Sequence, residues 1–231
     1  MLKFLPVLLP ILYALGMYWF SAWRTQAILD AQSKPLTEGR ITALADRMAA
    51  ALEVPAVKVH VFDVDGVNGL AAPDGRIFIT RGFLEKYRMG FVSAEEMAGV
   101  IAHELGHVAL GHTKRRMIDV TGQNAVFVML AAFLSRFIPI IGIWIAQVIS
   151  GALAAGLSRQ AEHEADAYAS ALLVKSGIGT APQKSLFRKL ERLTGAAGEG
   201  IPDWLRSHPR TEERIARIEA REARWALPPD A

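Results

Sequence analysis

Hydrophobic and polar positions divide this chain into three kinds of stretch. From Phe4 to Trp23 the sequence is almost uninterruptedly apolar, about the length a helix needs to cross a bilayer. Tyr13, Tyr18, Trp19 and Trp23 gather towards its C-terminal end, as in an interfacial aromatic belt. A cleaved signal peptide is the alternative, with Lys3 as its charged start. The apolar run is long, however, and no small-x-small cleavage site follows, so residues 1–25 are expected to form an uncleaved anchor. A second apolar region runs from Ala125 to Leu157. The remaining segments alternate in the manner of a globular domain.

Pro35 to Leu52 has helical spacing, with Leu36, Ile41, Leu44, Ala45, Met48 and Leu52 on one face. Val57 to Phe62 alternates as a strand, and Arg76 to Thr80 reads as another after the turn Pro73-Asp74-Gly75. Ser93-Ala94-Glu95-Glu96 is a capping box. It opens a helix whose apolar face is Met97, Val100, Ile101, Leu105, Val108 and Ala109. Helices are also expected over Ser158–Val174, ending near Gly177, over Pro182–Leu193 and over Thr211–Trp225. Between the last two, Gly195–Gly200 is expected to be a loop, and Pro228-Pro229 a frayed end. The fold class expected is α+β, mainly helical with a small sheet.

Composition sharpens this picture. The chain has 231 residues, 52% of them hydrophobic, and its mean hydropathy is +0.22. That is too apolar for an ordinary soluble domain and fits one core domain plus membrane segments. The net charge of +3 is not gathered in a long basic block interleaved with aromatics, so no nucleic-acid partner is expected. The chain has no cysteine, which excludes a disulfide framework, thiolate metal ligands, a cysteine nucleophile and an acylated lipoprotein anchor.

The candidate chemistry lies in His103-Glu104-Leu105-Gly106-His107, well inside the capped helix. Two histidines four apart share a helix face, so two imidazole nitrogens can reach one metal ion beside a carboxylate. Zn²⁺ suits nitrogen ligands with one position left open for water. A neighbouring glutamate can then take the water's proton for attack on a peptide carbonyl. The alternative is two histidines that merely cap or pack.

A catalytic zinc needs a third protein ligand. The metzincin pattern would require glycine and histidine where Leu110 and Thr113 stand, so it fails. His112 has rotated off the ligand face and reads as a polar residue near the helix C-terminus. Downstream, Glu162 and Asp166 lie four apart on one helix face. One carboxylate can bind metal while the other orients a liganding histidine. Taken alone, such an acidic stretch is usually a solvated face.

The pairing of this motif with Ser158-Arg159, Glu162 and Ala165-Asp166 resembles the M48 peptidases, the HtpX/Ste24/Oma1 group of membrane-associated metallopeptidases. Asn68-Gly69-Leu70-Ala71-Ala72-Pro73 with Ile77-Phe78-Ile79-Thr80 resembles the strand pair ahead of that family's zinc helix. His112 matches a histidine common after its motif, and Ser207-His208-Pro209-Arg210 with Arg214-Ile215 resembles its C-terminal segment. The likeness covers about residues 36 to 222. It implies a zincin-like (gluzincin) domain over 35–225, with one Zn²⁺ held by His103, His107 and Glu162 and with Glu104 as general base. It further implies Asp166 as a carboxylate behind the ligands, His208 near the developing oxyanion, and Arg214 as an ion-pairing organiser. Asn68, Gly69, Leu70 and Ala71 would form an edge strand to which an extended substrate adds. The N-terminal region departs from the HtpX branch, offering one apolar span where that branch has a two-span hairpin.

The apolar region 125–157 then interrupts the catalytic domain. If Glu162 and the histidines share one ion, both ends of the region lie on one side of the bilayer. Its 33 residues would span about 50 Å as helix, less than the roughly 40 residues that two full crossings need. A short helical hairpin is therefore expected, bent near Ser135-Arg136 or Pro139, with Arg136 out of the lipid. The alternative is a helical pair in a soluble fold, lying over the active site. Arg24, Lys34, Arg40 and Arg47 outnumber Lys3 across the first span, favouring a cytoplasmic catalytic domain on a bacterial inner membrane. The activity expected is endopeptidase cleavage of membrane or misfolded polypeptides, with the lipid bilayer as the other partner. Two rivals are a narrow-specificity processing protease and a membrane-anchored, chaperone-like binding protein with a vestigial site.

Overall fold

A computed structural model describes residues 5–112, 127–138, 141–195 and 211–226. The elements in chain order begin with helix α1 (Leu5–Ala31), strand β1 (Ser33–Pro35) and helix α2 (Gly39–Leu52). Strands β2 (Val59–Phe62), β3 (Gly69–Ala71) and β4 (Ile77–Thr80) follow, then helices α3 (Arg81–Arg88) and α4 (Ala94–Ala109). Residues 127–135 are helical and are designated α5. Helices α6 (Ile141–Lys175), α7 (Ala181–Gly195) and α8 (Thr211–Trp225) complete the chain. The fold is mainly helical with one small mixed sheet.

The chain divides into two compact units. One comprises Met1–Gln32 with His112–Gln160, the other Ser33–Gly111 with Ala161–Ala231. In the second unit the sheet order is β1-β2-β4-β3. β2 and β4 run parallel, with Val59 opposite Ile77 and Phe62 opposite Thr80. β1 is antiparallel to β2, and β3 antiparallel to β4 with Gly69 opposite Ile79. β3 is thus one edge of the sheet. The parallel pair was not legible in the pattern, because the strand following β2 in sequence joins on the far side of β4.

The second unit's core lies between the sheet, α2, α4, α7 and α8. Ile41, Met48, Ile77, Ile79, Met97, Ile101, Leu173, Leu190 and Ile218 are its centre. α4 packs against α2, α7 and β3, and α8 packs on α7. The start of α4 is fixed as its sequence demands. Ser93 Oγ accepts from the Glu96 backbone N–H at 3.1 Å, and Glu96 Oε2 accepts from the Ser93 N–H at 2.8 Å. Glu96 is buried and also takes Lys189 Nζ at 2.8 Å and the Ser185 hydroxyl at 2.7 Å, tying the cap to α7.

Two local expectations need correction. The helix expected from Pro35 begins only at Gly39. Residues 33–35 instead pair with β2, and the Leu36 N–H donates to the Val59 carbonyl at 3.0 Å. Proline forces the residue before it into extended backbone, which suits Lys34 to a strand. The helix expected from Ser158 is the second half of α6, which begins at Ile141. No proline separates the apolar stretch from the acidic one, so the helical ladder continues through both.

The first unit contains α1, α5 and the first half of α6. The chain turns at residues 136–138, between α5 and α6, close to the expected bend, and the exposed Arg136 lies in that turn. Among the described residues, the α6 helix is long and apolar enough to cross a membrane. Of the loop expected at 195–200, Gly195 is instead the last residue of α7, and the remainder, like the proline-rich end, lies outside the described residues.

Candidate metal centre

Three residues of the second unit converge although two elements carry them. His103 Nε2 and His107 Nε2, one turn apart on α4, stand 3.1 Å from each other. Glu162 on α6 places Oε2 3.4 Å from His103 Nε2 and Oε1 3.4 Å from His107 Nε2. All three side chains are buried. Among the described residues they form one group of ligand atoms within 4.8 Å of one another. Ligands about 2.0–2.2 Å from one tetrahedral ion stand about 3.3–3.6 Å apart, close to the spacings seen here. The donor set therefore fits a divalent cation.

The helices cross closely enough to allow this because the crossing carries no bulk. A Cβ at Gly106 would meet the Ala165 carbonyl oxygen at 2.9 Å and its Cα at 3.0 Å. Gly106 on α4 and Ala165 on α6 thus form the crossing that sets Glu162 over the histidines. Sequence reasoning named neither for this role. The signal available was a pair of small residues next to the liganding positions on two apolar helices.

Behind the ligands lies a buried ion pair. His103 Nδ1 is 3.0 Å from Asp166 Oδ1, so Nδ1–H donates to the carboxylate and Nε2 faces the centre. Arg214 on α8 grips Asp166 with two bonds, Nε to Oδ2 at 2.6 Å and an η-nitrogen to Oδ1 at 2.7 Å. This arginine is 1% exposed, a burial that only a fork-to-carboxylate match makes tolerable. Burial works to raise the Asp166 pKa, but Arg214 and His103 outweigh it and hold the carboxyl well below the usual range. Burial likewise opposes charge on His103, yet the Asp166 and Glu162 carboxylates prevail and raise its pKa to about 9. Without a metal, His103 therefore holds a proton at neutral pH, which an incoming cation must displace.

Glu104, between the histidines, is buried, and burial pushes its carboxyl pKa up. It lies beside the sheet edge. A Cβ at Gly69 would come 3.5 Å from Glu104 Oε1 and 2.7 Å from Val100 Cγ1. Only a residue without a side chain lets β3 approach α4 this closely. Asn68 holds the strand start, its N–H donating to the Thr80 hydroxyl at 2.9 Å and its own Oδ1 accepting from the Gly69 N–H at 3.0 Å. Leu70 and Ala71 continue the strand in register with Phe78 and Ile77.

The structure thus brings His103, Glu104, His107, Glu162, Asp166 and Arg214 together, with Gly69 beside them. His112 lies beyond the end of α4, past Gly111 in a left-handed conformation, and is buried. His208 lies outside the described residues.

Comparison with known proteins agrees with this geometry. The model of peptidase family M48 matches residues 35–222. Metalloprotease LoiP of Escherichia coli is 29% identical over 182 residues, covering 79% of this chain and 69% of that protein. Metalloprotease YcaL of the same organism is 30% identical over 188 residues, covering 79% and 68%. A protease HtpX homolog of Burkholderia mallei is 30% identical over 251 residues, covering 90% and 85%. With the matched segment spanning strands, motif helix, second ligand helix and C-terminal helix alike, the chain belongs to peptidase family M48, as a metallopeptidase.

Proposed function

We propose that this protein is a membrane-anchored zinc metalloendopeptidase that cleaves membrane or misfolded polypeptides, with Glu104 as general base. The observation that carries the reading is the convergence of two imidazole nitrogens and one carboxylate, with a second carboxylate, Glu104, on the helix of the two histidines. In this reading His103, His107 and Glu162 hold the ion. When bound, zinc supplies Lewis acidity, polarising a carbonyl and making water easier to deprotonate. Zinc is preferred because two imidazoles and a carboxylate leave one position open in a tetrahedral site.

The chain's own residues do the rest. Asp166 accepts from His103 Nδ1–H and fixes the ring so that Nε2 faces the centre; Arg214 keeps Asp166 charged and in place. Glu104, with its raised pKa, accepts the proton of the attacking water and returns it to the leaving amine. β3 offers an extended substrate a sheet edge beside Glu104, with Asn68, Gly69, Leu70 and Ala71 setting the register. On the family resemblance, His208 is assigned to the developing oxyanion.

Membrane anchoring is supported by two features. α1 exposes Trp19, Phe20 and Trp23, and the first unit also exposes Phe133, Phe137, Ile143 and Trp144. Such a density of exposed apolar side chains marks a surface that faces something other than water. The reading places residues 1–25 as anchor and 125–157 as a membrane-associated insertion. It locates the protein in a bacterial inner membrane with the catalytic domain cytoplasmic, which reporter fusions at Ala231 test.

The function itself is tested by cleavage of an unfolded protein with the detergent-purified chain, alongside Glu104→Gln, with zinc content measured in both. Cleavage that falls by about 10²–10⁴-fold in a zinc-loaded variant is the expected result. A folded, zinc-loaded wild type that leaves unfolded proteins intact overturns the broad endopeptidase reading and leaves a narrow processing enzyme or a binding protein.

A further inference from the structure

We infer that Gln183 and Phe187, both on α7, are positioning residues for the metal centre, acting on His103 through Asp166 and Arg214. The inference rests on the metal reading proposed above and extends it to a helix that no motif marks.

The Asp166 carboxylate is the hub of a buried polar cluster. Three donors surround Oδ1: His103 Nδ1 at 3.0 Å, an Arg214 η-nitrogen at 2.7 Å and Gln183 Nε2 at 3.5 Å. Oδ2 takes Arg214 Nε at 2.6 Å. The direction in which His103 Nε2 points follows from the plane of this carboxylate, because Nδ1–H must align with an Oδ1 lone pair. Whatever fixes that plane fixes the ligand.

Two contacts from α7 fix it. Arg214 Cζ lies over the Phe187 ring, 4.3 Å from the ring centroid. A guanidinium stacked on an aromatic face is held in plane as well as in place. The fork to Asp166 then transmits that orientation to the carboxylate.

Gln183 closes the other side. It is 1% exposed, so its amide must be matched by protein groups. The Ser170 hydroxyl donates to Gln183 Oε1 at 3.0 Å. The Asp166 carboxylate settles which end of the amide faces it, because the flipped amide would set Gln183 Oε1 against Oδ1, two acceptor oxygens. Ser170 stands one turn after Asp166 on α6, and its hydroxyl is also 2.8 Å from the Asp166 carbonyl oxygen. The carboxylate, its own helix and α7 are therefore linked in one buried polar network.

A residue that only fills space in this core would leave metal affinity alone once the protein is folded. A positioning residue would not, since groups behind metal ligands typically change affinity by about 10–100-fold. The test uses the purified full-length chain and the variants Gln183→Met and Phe187→Leu, each close in volume to the original. Zinc affinity is measured by competition with a chromogenic chelator, Co²⁺ coordination by its visible spectrum, and folding by melting of the metal-free protein. The expected result is about tenfold weaker zinc binding and an altered Co²⁺ spectrum in variants that remain folded at the assay temperature. If the wild type binds zinc and both folded variants match it within about twofold, against the tenfold expected, the inference is wrong while the metal reading stands. A loss of affinity found only in unfolded variants overturns it equally. If the wild type itself binds neither zinc nor Co²⁺, the metal reading falls, and this inference with it.

Discussion

Helix α6 has two halves that obey opposite rules. Its first half exposes Ile143, Trp144, Val148, Ile149 and Leu157 while burying Ser150. Its second half buries Glu162, Asp166 and Ser170 beside Ala165, Ala169 and Leu173. Trp144 is 75% exposed, whereas Asp166 is 1% exposed. The difference shows that burial along one helix is decided by partners, not by side-chain polarity alone. The acidic residues are tolerable inside because histidines and an arginine meet them. The apolar residues outside are unfavourable in water, and in the proposed reading a bilayer meets them.

The sharpest way to break this comparison is to remove the partner that makes the buried half possible. Arg214→Ala leaves Asp166 buried without its counter-charge, and destabilisation by about 3–5 kcal/mol is expected, read by denaturant melting of the metal-free protein. A change below about 1 kcal/mol, the median for surface ion pairs, would mean that the pair carries no such burden. On the exposed half, Trp144→Arg is expected to cost about 2.5–3.5 kcal/mol of bilayer insertion, seen as weaker partition into liposomes with zinc content unchanged. In water the same substitution on so exposed a site would be neutral or would improve solubility.

A third experiment uses pH on the buried half. The His103 pKa is raised to about 9 in the metal-free fold, above its unfolded value near 6.5. The protonated ring therefore stabilises the metal-free protein fully below about pH 6.5, and that contribution is lost as pH rises through about 9. Metal binding has the opposite sign, since the cation must displace this proton. Zinc affinity is expected to rise by about tenfold per pH unit, the effect of one displaced proton, and to stop gaining from this group above about pH 9. Calorimetry in buffers of different ionisation heat counts the proton released, and a binding event without proton release would contradict the assignment. The smallest effect concerns α4, which carries the histidines. Ser93→Ala removes the cap and is expected to lower stability by about 1 kcal/mol, leaving the metal affinity of the folded protein unchanged.

Much of the local structure could be read before any coordinates. α4 and α8 begin and end close to the expected residues because caps and apolar spacing act within a few positions. His103 and His107 needed only the helical repeat to be set side by side. Glu162 and Asp166 were visible as a pair, but their spacing did not divide their labour, which only the family resemblance assigned. That division depends on Arg214, 48 residues away from Asp166, and on which face of α6 meets α4.

The short-range facts were written in the chain alone: the helical and extended segments, the capped motif helix, the paired acidic residues and the two apolar stretches. Each follows from interactions within a turn or two of backbone. The tertiary structure alone decided the parallel pairing of β2 with β4 and the crossing at Gly106 and Ala165. It alone placed Gln183 and Phe187 behind His103. Those features arise where segments far apart in the chain exclude water together. Their energy belongs to the pair in contact, and no window along one segment contains it.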